Sequence, residues 1–425
     1  MKRHVLAAFA AAAVAASALP AHATPWQTFG PRAMGMGGAG VAIAQGPVAS
    51  YYNPAGLGQL YNTSGLAVVA GGQADFLGSV IQGAKDVNQL VTDCKAGNAA
   101  CTTANVNAAL SNLGQPGNGA MGNVAGGLAV KIKKVVVFAN EFVLMGATPQ
   151  VDQVNTVAAA PGVNTIDKNQ SKLLLRGAAF TEIGVGYGQE IGKTGLNLGV
   201  NLKGIIGKVG YSQLSIVSED PAGGNLGKFN REAATSVQPG IDLGALWDLR
   251  EMYPSLPWRP RLGFTARNIN NPTFKQPAAA TNSGDRNRYS LQGQMRTGVA
   301  VSPAKFWHLA ADMDLTENNT PVDGYKSRFL SAGTEVNVFN REWINIPLRV
   351  GLMKNVSSGN SGLSYTGGFG LNFLHVNLDV GGMVSAKRVT IQSQGQDKKV
   401  PTNFGVAAQV AVLFGGSDAG ARNQQ

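Results

Sequence analysis

From residue 173 to residue 414 the chain repeatedly alternates apolar and polar side chains with period two. In LNLGVNLKG, Leu196, Leu198, Val200 and Leu202 share one side, and Asn197, Gly199, Asn201 and Lys203 the other. In HLAADMDLTE, Leu309, Ala311, Met313 and Leu315 oppose His308, Ala310, Asp312 and Asp314. FLSAGTEVNVF sets Leu330, Ala332, Thr334, Val336 and Val338 against Ser331, Gly333, Glu335 and Asn337. Near the end, Phe404, Val406, Ala408, Val410, Val412 and Phe414 alternate with Gly405, Ala407, Gln409, Ala411 and Leu413. Side chains of a strand point alternately to its two faces, so this pattern predicts strands with two chemically different sides.

Such strands build a soluble sandwich or a membrane barrel. Three features favour the barrel. The runs are about 9–11 residues, the length that a tilted strand needs to cross a bilayer. The face opposite the apolar one is polar or glycine, as a wet or plugged lumen requires. Trp247, Trp258, Phe306, Trp307, Phe339, Trp343 and Phe414 fall near strand ends, where interfacial girdles form. The expected fold is all-β: an antiparallel outer-membrane β-barrel, residues 61–414. Sixteen candidate strand starts lie near residues 66, 124, 134, 173, 182, 195, 208, 235, 259, 288, 305, 327, 346, 363, 376 and 402. Some of these must fuse or lie in loops, leaving roughly a dozen to fourteen strands, an even number being favoured. Gly192–Gly195, Ser302–Lys305 and Asn340–Glu342 read as tight turns; 145–171, 218–232, 271–287, 316–326 and 387–401 read as long polar loops.

The chain opens with an export signal. Met1-Lys2-Arg3 is basic, Val5–Leu19 is apolar and alanine-rich, and Ala21-His22-Ala23 is a small-x-small site, so cleavage is expected after Ala23. Removing Lys2 and Arg3 leaves 33 basic residues against 24 acidic ones, a net charge of +9. The cations are scattered, which argues against a nucleic-acid surface; no direct nucleic-acid partner is expected. Charged residues make up only 14 % of the chain. That is low for a domain whose whole surface meets water. The exterior partner expected is outer-membrane lipid.

Residues 77–113 have helical spacing instead, at Val80, Val87, Leu90 and Val91, then at Ala104, Val106, Ala109, Leu110 and Leu113. Two short helices in an outer loop would fit, with Asn98, Thr102 and Thr103 as cap or turn residues. Cys94 and Cys101 lie between them, and in an exported chain they are expected to pair. No metal or cofactor site is expected. The polar residues His308, Asp312 and Asp314 share a strand face that should line the lumen, but no nucleophile motif accompanies them, and catalysis is not expected.

The stretch RAMGMGGAGVAIAQGPVASYYNPAGL, residues 32–57, is dense in glycine and almost uncharged. It lacks the lysine of a phosphate loop. Small residues allow close backbone approach, and Asn53-Pro54 is a turn former. Residues 24–60 therefore read as a plug threaded into the lumen. Gly35, Gly37, Gly38, Gly40, Asn53, Pro54 and Ala55 are the candidate hatch residues, and residues 415–425 a C-terminal tail.

The opening stretch, and NPAGL most of all, resembles the start of the FadL-like outer-membrane superfamily. That resemblance implies a 14-stranded barrel with an N-terminal hatch, carrying long-chain fatty acids or aromatic hydrocarbons. RLGFTARNINNPTF (261–274), MRTGVAVSPAKFWHLAADMDLTEN (295–318) and LSAGTEVNVFNREWINIPLRVGLMKNV (330–356) look more like the conjugal transfer TraF-type branch. Two roles follow for a monomeric barrel in the outer membrane of a Gram-negative bacterium. One is an accessory part of a plasmid-transfer or secretion apparatus, partnered by its proteins. The other is passive uptake of a hydrophobic small molecule. The tail GGSDAGARNQQ and the helical insertion depart from the superfamily pattern.

Overall fold

A computed structural model describes residues 24–59, 64–152, 169–216, 226–285, 288–341, 343–358, 361–393 and 396–414. The expected signal, residues 1–23, and the tail, 415–425, lie outside these, as do parts of the 145–171, 218–232, 271–287 and 387–401 loops and Glu342 of the Asn340–Glu342 turn.

Fourteen antiparallel strands close into a barrel. They are β1 (Ser64–Leu77), β2 (Gly119–Ile132), β3 (Val135–Gln150), β4 (Lys172–Glu190), β5 (Leu196–Ser215), β6 (Ala234–Asp248) and β7 (Arg261–Arg267), then β8 (Gln294–Ala304), β9 (Trp307–Asp314), β10 (Phe329–Asn340), β11 (Ile344–Asn355), β12 (Ser364–Phe373), β13 (Val376–Ser385) and β14 (Asn403–Phe414). The first and last strands pair in register, Ser64 opposite Phe414, so no free edge faces lipid at the seam.

The alternation sorts as the sequence reads. Val68, Leu128, Val137, Val185, Leu202, Val350, Val380 and Val410 stand exposed on the outside, while Asn140, Glu182, Asn201, Lys203, Asp242 and Arg349 are buried inside. An apolar exterior on a closed barrel is what a bilayer selects, because neighbouring strands satisfy one another's backbone N–H and C=O groups around the ring. Trp258, Phe306, Trp307, Phe339, Trp343, Phe373 and Phe414 are exposed at the end that carries the short turns. Trp247 differs from expectation. It is 1 % exposed, and its Nε1 donates to the carbonyl of Thr194 at 3.1 Å. It packs on the neighbouring turn and takes no part in the girdle.

Two pairs of expected strands are single. The starts near 173 and 182 belong to the 19-residue β4, and those near 195 and 208 to the 20-residue β5. At about 3.3 Å per residue such strands outreach the apolar band, so β3–β6 rise above the bilayer. The alternation shows no break where the membrane ends, since the lumen side stays packed. The start near 288 marks a short strand, Arg288–Ser290, paired with Thr273–Lys275 inside a loop; the wall strand begins at Gln294. Ser302–Ala304 also belongs to the wall, leaving Lys305-Phe306 as the turn.

Strands β7 and β9 have only 7 and 8 residues, so the wall is low there. The outer half of β6 loses its neighbour, pairing with β7 only from Leu243 to Asp248. Pro239 sits on that unpaired half, where a missing N–H costs no ladder bond. The loop after β7 folds inward to fill the gap. Phe274 is fully buried against Phe180, ring centres 5.0 Å apart.

The connection from β1 to β2 carries the helical hairpin, α3 (Val80–Lys95) and α4 (Thr103–Leu113). Val87, Cys94, Cys101, Val106, Ala109, Leu110 and Leu113 form its own core, with Val151 and Ile216 of neighbouring loops packed against it. Ala104, expected on the apolar side, is exposed. Thr102 caps α4, accepting from Asn105 N at 3.2 Å. The Asn118 side chain ties the hairpin ends, accepting from Ser79 N and donating to Asn112 O. Cys94 and Cys101 are joined, Cα to Cα 4.8 Å. Replacing both by serine should loosen the hairpin by about 2–3 kcal/mol, the loop-entropy value for so short a link. Limited proteolysis between the helices should accelerate severalfold, while heat-modifiable migration of the barrel stays as it was.

Candidate functional site

The lumen is occupied by the chain's own start. Residues 24–59 run through it as α1 (Pro31–Gly35), α2 (Ala49–Tyr52) and a 3-10 turn (Pro54–Gly58), almost all buried. Pro31 opens α1, where its fixed φ suits a helix start. Gly37 follows with φ +72. A side chain is strained in that conformation, and a Cβ would lie 2.6 Å from the Ala332 carbonyl and overlap that of Leu352. The wall answers with inward glycines. A Cβ on Gly333 or Gly351 would come within 2.5 Å of Met36 backbone atoms, and one on Gly199 would run into Pro54. Glycine on both sides therefore brings two backbones into contact.

Polar groups complete the docking. Thr366 accepts from Gly37 N at 2.9 Å and donates to Gly35 O at 3.0 Å. Asp312 accepts from Gly40 N at 2.7 Å and Val41 N at 2.9 Å. Asn53 works in three directions: its Oδ1 accepts from Ala55 N, and its Nδ2 donates to Val41 O at 3.1 Å and to Ala245 O of β6 at 2.9 Å. Tyr51 donates to Gln27 O at 2.5 Å, and the Arg267 guanidinium lies 4.1 Å above its ring. That geometry is a cation–π contact in a dry site.

Charges on the inner wall form two networks and a further ion pair around the segment. Glu335 pairs with Arg32 of the segment at 2.9 Å and with Arg349 at 2.6 Å, and Arg349 pairs with Asp379 at 2.6 Å. Lys203 pairs with Glu182 and Asp242, both at 3.0 Å, and Arg267 reaches Glu182 at 3.3 Å. Arg296 holds Asp314 at 2.6 Å, donates to Gly38 O at 3.2 Å and stacks on Trp26 at 4.6 Å. Outside the spanning region, Lys326 and Ser357 donate to Glu317 and hold its carboxyl below the usual range, tying two outer loops together.

The three polar residues expected on β9 all face inward, but they do not converge. Asp312 binds the segment backbone, Asp314 holds Arg296, and the His308 ring Nδ1 lies 2.8 Å from Ser302 Oγ. Sequence reasoning missed Arg32, Glu335, Arg349 and Asp379 as one network. The signal was present: Glu335 stands on the polar side of an alternating run, where an unpaired charge would be costly.

Two spaces remain. Toward the long loops lies a cavity of about 650 Å³, lined among others by Asp75, Leu77, Tyr325, Phe329, Met353 and Asn403. Its apolar floor is soft, because Phe329 and Met353 pack with Met34 of the segment and Met383. Toward the short turns a smaller cleft of about 130 Å³ reaches Arg32, Glu335, Arg349 and Asp379.

A closed 14-stranded barrel, apolar outside and filled by an N-terminal segment, defines an outer-membrane barrel protein of Gram-negative type. The chain belongs to the family described as F plasmid transfer operon, TraF, protein, which it matches over residues 50–314. Among solved structures it is similar to the P. putida toluene transporter TodX, with 12 % identity, a TM-score of 0.48, and 92 % of this chain and 100 % of that one covered. It is also similar to the CymD monoaromatic hydrocarbon channel, at 12 % identity and TM-score 0.47 over 93 % and 100 % of the two chains. A Pseudomonas aeruginosa FadL homologue aligns at 13 % and TM-score 0.43 over 93 % and 98 %. No curated protein matches the sequence.

Proposed function

We propose that this protein is a passive outer-membrane channel for small hydrophobic or amphipathic molecules, closed by residues 24–60 as a hatch after removal of residues 1–23. The observation that carries the reading is the outer cavity of about 650 Å³, whose floor reaches the hatch through Met34. Its size falls in the range of small-molecule sites. A ligand settling there meets the segment that blocks the lumen, so binding and opening share residues. Gly35, Gly37, Gly38, Gly40, Asn53, Pro54 and Ala55 are the hatch positions that must shift. The protein works as a monomer in lipid.

A second reading is an accessory role in a plasmid-transfer apparatus. The family match favours it. The disulfide-linked hairpin and the long outer loops would then meet the partner proteins.

One deletion strain with a complementing copy separates the two. In the channel reading, uptake of a labelled amphiphile at limiting concentration falls severalfold and plasmid transfer frequency is unchanged. A complemented drop in transfer with normal uptake would reverse the assignment.

A further inference from the structure

The cavity described above carries one feature that a general apolar site would not need. Asp75, near the outer end of β1, lines it and is 7 % exposed. Its carboxylate accepts from Gln73 Nε2 at 3.0 Å and from Asn403 Nδ2. No ion pair joins it to a cation among the described residues. Buried Glu182, Asp242, Asp314, Glu335 and Asp379 have cationic partners, and buried Asp312 accepts two backbone N–H groups of the segment. A carboxylate has about four acceptor sites, and two amide donors do not fill them. Burying such a charge without a counter-charge is costly, and a cation in the cavity would offset that cost.

The surroundings define the rest of that cation. Tyr325 and Phe329 add aromatic rings to the lining, and ring faces attract ammonium groups. Met353 and Phe329 supply the apolar floor. Lys387 and Arg388 also line the space, but Arg388 is exposed and Lys387 half-buried, both more open to solvent than Asp75. Screening weakens them relative to the buried Asp75.

We propose that the outer cavity binds an amphipathic organic cation, its ammonium group held by Asp75 and its apolar body lying on Phe329 and Met353. This rests on the reading of the cavity as the entry site and adds the charge of what enters.

The test is calorimetry on the full-length protein in micelles of an uncharged detergent. Three probes share one body: 4-phenylbutylammonium, 4-phenylbutanol and 4-phenylbutyrate. The cation should bind about tenfold tighter than the alcohol, as a charge-assisted hydrogen bond adds, and the anion weakest. Asp75→Asn should bring the cation to the level of the alcohol and leave the alcohol unchanged, while Asp75→Glu keeps the preference. Phe329→Ala should weaken all three. The wild-type ranking decides by itself if Asp75→Asn fails to assemble. Binding of the alcohol with no preference for the cation, or a preference untouched by Asp75→Asn, overturns the inference and leaves the channel reading standing. No binding by any probe sinks both.

Discussion

Replacing Gly37 by valine should unplug the barrel. The position has φ +72, a region that costs an L-residue about 1–2 kcal/mol and a β-branched one more. The new Cβ would also overlap the carbonyls of Leu352 and Ala332. Overpacking of that kind costs about 1–3 kcal/mol when neighbours can yield. Here they yield poorly. Both carbonyls belong to β10 and β11, which stay in register from Phe329 to Asn337 and are locked by their ladder. The segment must move instead. In planar bilayers the parent protein should conduct little, because its lumen is filled, and Gly37→Val should show large, long-lived open steps. Heat-modifiable migration should be retained, since the wall is untouched. A variant that conducts no better than the parent would mean that the segment adjusts in place, and the hatch assignment would lose its main support.

Removing the Glu335 carboxylate should release the same segment by a different route. Glu335 joins Arg32 of the segment to Arg349 of the wall, and both Glu335 and Arg349 are buried. Breaking a buried pair by deleting one partner costs about 3–5 kcal/mol, since the other charge is left without compensation. Arg349 keeps Asp379 at 2.6 Å, so the larger loss falls on Arg32, whose side chain is 26 % exposed, which puts the cost at the lower end of that range. Glu335→Ala should therefore expose the segment to protease added from the side of the short turns and raise conductance. Glu335→Gln should do the same more weakly, because the amide still accepts a hydrogen bond. The double change Glu335→Ala with Arg32→Leu should recover part of the stability, as neighbours in one network are not additive. Equal protease resistance in Glu335→Ala and the parent would show that this network does not hold the segment.

These expectations also mark what could be read in advance. The barrel wall was legible because a strand has only two sides. Most residues from Leu196 to Lys203, or from Phe404 to Phe414, declare their side by their own chemistry, though Leu413 lines the lumen cleft. The pairing of Cys94 with Cys101 was legible because it is local. The lengths of β4 and β5 were not, because alternation continues beyond the bilayer wherever the inner face stays packed. Trp247 was misplaced for a related reason: an aromatic near a strand end can turn to lipid or pack on the next turn, and only the position of Thr194 decides.

The sequence by itself therefore determined which face of the clearly alternating strands meets lipid, that the first segment is rich in glycines able to lie against another backbone, and that charge is sparse. Tertiary structure alone decided where the segment lies and what holds it. Arg32 finds Glu335 across 303 residues, and Gly40 finds Asp312 across 272. Partners that far apart leave no periodic trace in the chain, because closure of the barrel, not local propensity, brings them within hydrogen-bond reach.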